Sequence, residues 1–392
     1  MSWVPESRRD RNLVAVAPLV AFFLAALALR PQLVGIGPLL PAMQAELGLP
    51  HGVGGLLTTL PVLCMAIFAL PAVRFGHRVG LRSAMAVALA GILVFGLLRP
   101  VSTNLAWLFV MTAGIGIAMG IGGALLPRAV KAAAPQRVGF ATGIYTAGIT
   151  LGAAGSAAVA APIGQAAGWQ VALLALAVVT IPILVAWLII GRRLPTREPD
   201  DALPRLPLRS RLAWRLVAIF SINSLCFYGL NTWLPSVYVD LGWTVASAGG
   251  LVALMNTAGL PASVGVPWIS DRSRHRSGYV TACGVVIAIA VAGIVLLPGL
   301  ALGWVIVAGL AVGALFPLTL ALPVDAGRDE SEVAGYAAMM LTGGYAVAAI
   351  GPVALGVLRD ATGSFDLSLW MLVASAILLA MLGRRPIARA TH

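Results

Sequence analysis

Between Leu13 and Leu29 the chain has no charged residue; Arg30 follows, and then nothing charged until Glu46. Uncharged apolar stretches of this kind recur along the whole sequence. About 20 such residues cross the hydrocarbon of a bilayer, and a run this long reads as a membrane helix. The pattern predicts helices over 13–41, 52–75, 83–99, 105–130, 138–163, 169–190, 214–238, 247–269, 279–297, 303–323, 333–357 and 367–383. These twelve spans leave no segment large enough for a soluble domain, so the expected fold class is an all-α membrane protein.

Composition agrees with the pattern. The 392 residues are 60% hydrophobic and 10% charged, where a soluble domain carries about 25% charged residues. The abundant Gly (44) and Pro (25) suit membrane helices that pack closely and bend. No short apolar segment with a small-residue cleavage site opens the chain, so the first helix is expected to stay as an anchor. The formal charge of +12 has a topological explanation. Of the 26 basic residues, all but Arg30, Arg99 and Arg359 fall at the N-terminus, in alternate loops and the turns beside them, or at the C-terminal end. Basic loops face the cytoplasm, which predicts both termini on that side. A nucleic-acid partner is not expected, because that charge has no soluble face on which to gather. Cys64, Cys226 and Cys283 all lie in spans without metal-ligand spacing, and read as small packing residues.

An internal repeat organises the chain. "LLPAMQAELG" (39–48) and "WLPSVYVDLG" (233–242) stand 194 residues apart, pairing Pro41 with Pro235, Glu46 with Asp240 and Gly48 with Gly242. The same offset pairs Arg78 with Arg272 and Arg82 with Arg276. The first and seventh spans are separated by six crossings, so the repeat is parallel, about an axis along the membrane normal. Residues 1–190 and 214–392 are thus expected to form two six-helix bundles, joined by a Pro-rich, charged linker over 191–213.

Two six-helix halves, basic turns after the second and eighth helices and a long middle loop resemble the major facilitator superfamily. Its turn signature, Gly-x-x-x-Asp-Arg-x-Gly-Arg-Arg, is similar to "VRFGHRVGLR" (73–82) through Arg78, Gly80 and Arg82. Val73 and His77 stand where that family has Gly and Asp, so the first copy of its charge lock lacks the acid. The second copy, "PWISDRSRHR", keeps Asp271 and Arg272. The pieces "LRP", "GPLLP", "LTTLPV", "LPRAVK", "WLPSVY" and "FPLTLALPVD" resemble the cyanate and 2-nitroimidazole porter branch. The resemblance implies transport of a small polar or anionic solute by alternating access. It also implies a site near the midplane on helices 1, 4, 7 and 10, flanked by 2, 5, 8 and 11.

Candidate site residues follow from depth. Arg30 lies about 26 Å along the first helix from Leu13. A central arginine costs about 2.5–3.5 kcal/mol to insert. It either faces the cavity, offering up to five N–H donors to an anion or carbonyl, or bonds carbonyls freed by Pro31. Its repeat partner is Ser224, so the charge belongs to one half only. On the seventh helix Asn223, Phe227 and Asn231 share a face at i, i+4 and i+8, with Tyr228 beside them. These suit a small planar polar solute, or else bond between helices. Tyr145, Thr146, Thr342 and Tyr345 occupy matching depths, and Phe316 and Thr319 can close the wall. Asn256, Thr58 and Thr59 are weaker candidates. The glycines of "GIGIAMGIGG" (114–123) read as helix packing, since no strand precedes them and no Gly-Lys-Ser/Thr follows.

No acidic or histidine residue falls mid-span, so obligatory proton coupling is not expected, and uniport or exchange is. Neither a nucleophile–base pair nor a metal cluster reaches bilayer depth, which argues against a membrane enzyme. No cofactor is expected, and a monomer is. A drug or metabolite efflux carrier of the same fold, and a non-transporting receptor, are the rival readings.

Overall fold

The computed structural model describes residues 8–133, 138–193, 206–272 and 276–384. Much of the expected linker, and the basic residues Arg137, Arg197, Arg205, Arg274, Arg385 and Arg389, lie outside these. So do the side chains of Arg8, Arg9, Arg11, Lys131, Arg193 and Asp271.

Twelve described helices are long and apolar enough to cross a bilayer: α1 (Ala17–Leu47), α2 (His51–Val79), α3 (Leu81–Val101), α4 (Leu105–Val130), α5 (Thr142–Ala167), α6 (Trp169–Ile190), α7 (Arg211–Asp240), α8 (Val245–Ser270), α9 (Arg276–Leu296), α10 (Pro298–Ala326), α11 (Glu330–Thr362) and α12 (Asp366–Gly383). In lipid every backbone polar group must be satisfied within the chain, which selects helices. All twelve overlap the spans expected from the sequence, with ends shifted by a few residues.

The same neighbours recur in both halves. Helix α1 packs on α5 as α7 packs on α11; α2 on α4 as α8 on α10; α3 on α6 as α9 on α12. Across the halves α2 meets α11, α5 meets α8, and the end of α1 meets α7 and α8. Helix α1 is central, with 72% of its most apolar window buried inside the protein, whereas α6, at 33%, faces lipid.

Three of the spans are not continuous. Helix α1 breaks at Leu29–Arg30 and again at Gly35, α6 at Val179, and α11 at Ala349. In α1 the cause is local. Pro31 has no N–H and its ring excludes the carbonyl of the preceding turn; it also disfavours helical geometry at Arg30. Helix α5 crosses this region on Gly148 and Gly152, where any Cβ would overlap the carbonyl oxygens of Phe23 and Leu27. Small residues allow that approach.

The end carrying Arg78, Arg82, Arg272 and Arg276 is here called the basic end. Gly80 turns the chain from α2 into α3 at φ 82°, a conformation open to glycine. Arg82 donates to the carbonyl of Leu188 at 3.4 Å, and Trp187 donates to the carbonyl of Arg82 at 3.1 Å. Arg78 is exposed. His77, in the place of the family acid, lies 3.4 Å from Arg128. In the second copy Arg272 stacks 3.5 Å over the Trp268 ring, and Arg276 pairs with Asp325 at 2.9 Å.

At the far end the halves touch through backbone. A Cβ on Gly37 would overlap the carbonyl of Asn231, one on Gly55 that of Pro352, and one on Gly356 that of His51. Thr59 donates to the Ala349 carbonyl at the α11 break (2.6 Å), and Thr232 to Thr58 (3.2 Å). Asp360, late in α11, caps α2 from the other half. Its carboxylate accepts from the N–H groups of His51 (3.0 Å) and Gly52 (2.8 Å), and lies 2.8 Å from His51 Nδ1. The His51 ring sits between Trp233 and Phe365. A carboxylate at a helix N-terminus satisfies free N–H groups and the dipole together. Asp360→Ala is expected to weaken this contact by about 0.5–2 kcal/mol. A cysteine placed at Thr232, in a background without Cys64, should then react faster with an impermeant thiol reagent. An unchanged rate would mean the cap does not hold the far end shut.

Candidate functional site

Arg30 is the residue around which the midplane is arranged. It is 5% exposed and forms the N-cap position of the short helix Pro31–Val34, with φ −111° and ψ −31°. The break aims it off the helix axis toward α7, where Nη1 donates to the Tyr228 hydroxyl at 2.7 Å. Tyr345 faces the same guanidinium, and the rings of Phe227 and Tyr228 lie 5.9 Å from its central carbon. Among the described residues no carboxylate pairs with it, and none of the buried polar residues is acidic or histidine.

Arg30 opens onto a cavity between the halves. Ile149, Thr150 and Ala153 of α5, Asn223, Ser224, Phe227 and Tyr228 of α7, Met255, Asn256 and Gly259 of α8, and Gly309, Val312, Gly313 and Phe316 of α10 complete the wall. The cavity holds about 50 Å³ of free space, several times the ~10–15 Å³ that one water needs. It is mostly apolar, with a cation, two amides and a few hydroxyls, the usual make-up of a small-molecule site.

The expected residues divide into groups. Arg30, Asn223, Phe227, Tyr228 and Phe316 line the cavity, as does Ser224, the repeat partner of Arg30. Tyr345 backs Tyr228 with ring centroids 6.5 Å apart, and Tyr145 is buried within electrostatic range of Tyr345. Asn231, Thr146, Thr342 and Thr319 fall away from the wall, Thr319 returning its hydroxyl to the Phe316 carbonyl at 2.7 Å. Asn231 spends its amide on the Phe227 carbonyl (2.8 Å) and on Asn256 (2.8 Å). Thr146 returns its hydroxyl to the Thr142 carbonyl at 2.7 Å. Thr342 is half-buried on α11 and contributes no cavity surface. Helix α4, expected to line the site with α1, α7 and α10, is also absent from the wall. Its glycines Gly116 and Gly120 press on Pro61, Cys64 and Met65 of α2. Glycines of α8 and α10, Gly259, Gly309 and Gly313, meet one another at the cavity.

Residues 19–352 match the Major Facilitator Superfamily. The chain belongs to this superfamily. It is 31% identical over 375 residues to the 2-nitroimidazole transporter of Escherichia coli (strain K12), covering 93% of this chain and 94% of that protein. It is 30% identical over 366 residues to the uncharacterized transporter YycB of Bacillus subtilis (strain 168), covering 92% and 90%. The cyanate transport protein CynX of E. coli matches at 28% over 351 residues, 88% and 91%. Among solved structures, a bacterial homolog of the human lysosomal transporter Spinster, inward-facing and occupied, superposes with TM-score 0.75 at 13% identity, covering 96% of this chain and 97% of that one. The superfamily member described here is a transporter of the cyanate and nitroimidazole branch, not an enzyme, and spans the bacterial inner membrane many times.

Sequence reasoning gave no role to Arg99. It is 1% exposed, at the end of α3, and reaches the break in α1. Its Nη1 donates to the Gln32 carbonyl at 3.2 Å and its Nη2 to Gln32 Oε1 at 2.6 Å. Gln32 in turn donates to the Leu173 carbonyl of α6 at 3.4 Å. Arg99 thus ties the short helix after Arg30 to α3 and α6. The signal available in the sequence was a second in-membrane arginine near a helix end with no acid in range, a position that snorkelling also explains. Arg99→Met should lower the unfolding midpoint in detergent, corresponding to about 1–3 kcal/mol, because it orphans a buried carbonyl and amide oxygen. Arg99→Lys should recover only part. A midpoint unchanged in both variants would remove Arg99 from the support of the break.

Proposed function

We propose that this chain carries a small polar or anionic solute across the membrane by alternating access, with Arg30 as the cation that coordinates it. One observation carries the reading. A guanidinium that costs about 2.5–3.5 kcal/mol to place in the membrane stands at a helix break, without an acid among the described residues, beside a cavity walled by both halves. Tyr228 and Tyr345 engage only some of its five N–H donors, so the remainder are available to a solute. Discontinuous helices at the midplane are a general device of such carriers.

Residues 1–190 and 214–392 act as the two rocking bundles, with 191–213 as the tether. Taking the basic end as cytoplasmic, the far-end contacts close the outside face. The nitroimidazole and cyanate transporters to which the chain is similar support a small heterocycle or pseudohalide as solute, and the small cavity disfavours a bulky drug. No buried acid or histidine among the described residues is available to relay a proton, which favours uniport or exchange. An anion moving inward alone would work against about 2.3 kcal/mol per charge at 100 mV.

Reconstituted liposomes test this directly. Flux of cyanate or 2-nitroimidazole is expected with the potential and the pH gradient clamped at zero, and it should disappear in Arg30→Ala. Arg30→Lys should lose at least about tenfold, because an ammonium cannot reproduce the planar fork. Normal flux in Arg30→Ala would make the residue structural. Binding without flux would make the protein a receptor. Accumulation that requires a pH gradient, for a solute that does not itself titrate, would reveal a proton site.

A further inference from the structure

The polarity of the cavity wall can be read further than its charge. Asn231 donates through Nδ2 to the Phe227 carbonyl, which can only accept. That fixes its amide, and its Oδ1 faces Asn256 at 2.8 Å. Asn256 must therefore present its Nδ2 there, and the same Nδ2 also donates to the Val252 carbonyl at 2.9 Å. Both amide orientations follow from the backbone carbonyls at the two ends of the relay rather than from an arbitrary choice of O and N. Asn256 lines the cavity, and its oxygen is the part of the amide left for it. Asn223, 1% exposed on the same cavity, makes no hydrogen bond among the described residues, and its Oδ1 is buried, so its amide is not counted as an acceptor.

The site thus combines donors from α1 with an acceptor from α8. We infer that the solute bears an N–H or O–H donor in addition to an acceptor or anionic end: a small planar N–H heterocycle, not a donor-free anion. This rests on the reading of the Arg30 cavity as the solute site, and narrows it. A solute that displaces water from the Asn256 oxygen must replace the hydrogen that water supplied. A site built to hydrogen-bond a substrate N–H or O–H rejects the analogue lacking it far more strongly than an apolar pocket rejects a missing methylene. Asn256 is then a specificity-determining residue, and Asn231 is a positioning residue that holds Asn256 in register. Cyanate has no hydrogen to offer, so it meets Arg30 but leaves the Asn256 oxygen unpaired.

The test uses the purified full chain and its thermal stabilisation by added solute, which reports any ligand that binds the folded state. The probes are 2-nitroimidazole and 1-methyl-2-nitroimidazole, at an acidity where the ring N–H is retained, with cyanate and nitrate as donor-free anions. The N–H compound is expected to bind at least about tenfold more tightly than its N-methyl counterpart and than either anion. Asn231→Leu, which releases the Asn256 amide, should bring the N–H to N-methyl ratio down several-fold. Asn256→Leu should do the same while also freeing Asn231. Equal binding of the N-methyl compound overturns the inference, as does a ratio untouched by both substitutions. Arg30-dependent binding of cyanate or nitrate with no response to the N–H compound sinks the donor requirement and leaves the carrier reading standing. Stabilisation by these solutes that is independent of Arg30 takes down both.

Discussion

The structure depends on one constraint: a guanidinium buried among apolar helices with no acid to pair it among the described residues. Arg30 cannot lose its charge, and its long side chain does not reach an interface. The protein meets the constraint by breaking the helix that carries it. Pro31 ends the hydrogen-bond ladder of α1, the short segment Pro31–Val34 turns the arginine toward α7, and two tyrosine hydroxyls and two aromatic faces receive it. The close passage of α5 on Gly148 and Gly152, the reach of Arg99 from α3, and the relay of Gln32 to α6 all secure that break. Much of the buried polarity near the midplane of the first half is organised by this one side chain.

The fold was legible in the sequence because bilayer thickness is a length rule. Runs such as 83–99 and 169–190 have only one way to satisfy their backbones in lipid, and the pairing of Arg78 with Arg272 announced the repeat. What escaped was local. The interruptions of α6 at Val179 and α11 at Ala349 each stand three residues before a proline, Pro182 and Pro352, which frees the carbonyl four residues back. Yet Pro61 and Pro71 leave α2 unbroken, so the cue is not decisive in sequence. The first-half acid Glu46 and its counterpart Asp240 look equivalent in sequence. In space Glu46 accepts from Trp169 and Gln170 at 2.9 Å each, whereas Asp240 pairs with Arg359 at 3.1 Å. Repeat symmetry fixes position, not partners.

The site was legible to the level of depth and face. Periodicity placed Asn223, Phe227 and Asn231 on one stripe of α7, and two of the three line the cavity. It could not tell that Asn231 is consumed by its neighbours while Asn256, on another helix, presents its oxygen. That distinction depends on which amide finds a backbone carbonyl within reach, a tertiary fact. Thr146 shows the same limit: a hydroxyl on a helix can return to its own preceding turn, and then has no lone donor to offer. Glycine runs proved equally ambiguous, since those of α4 serve packing while Gly259, Gly309 and Gly313 line the cavity where α8 and α10 meet.

The far-end contact of Gly37, Gly55 and Gly356 with opposing main chain has a mechanical consequence. Two surfaces that meet as bare backbone have few rotamers to unlock and few knobs to lift from holes. They can part and meet again without losing register. The work of opening there is set by contact area and by the few polar bonds at the rim, so the seam can be hard to permeate yet cheap to cycle. A carrier that must open and shut at every turnover gains speed from such smoothness, and a single added methyl group would turn a sliding joint into a ratchet.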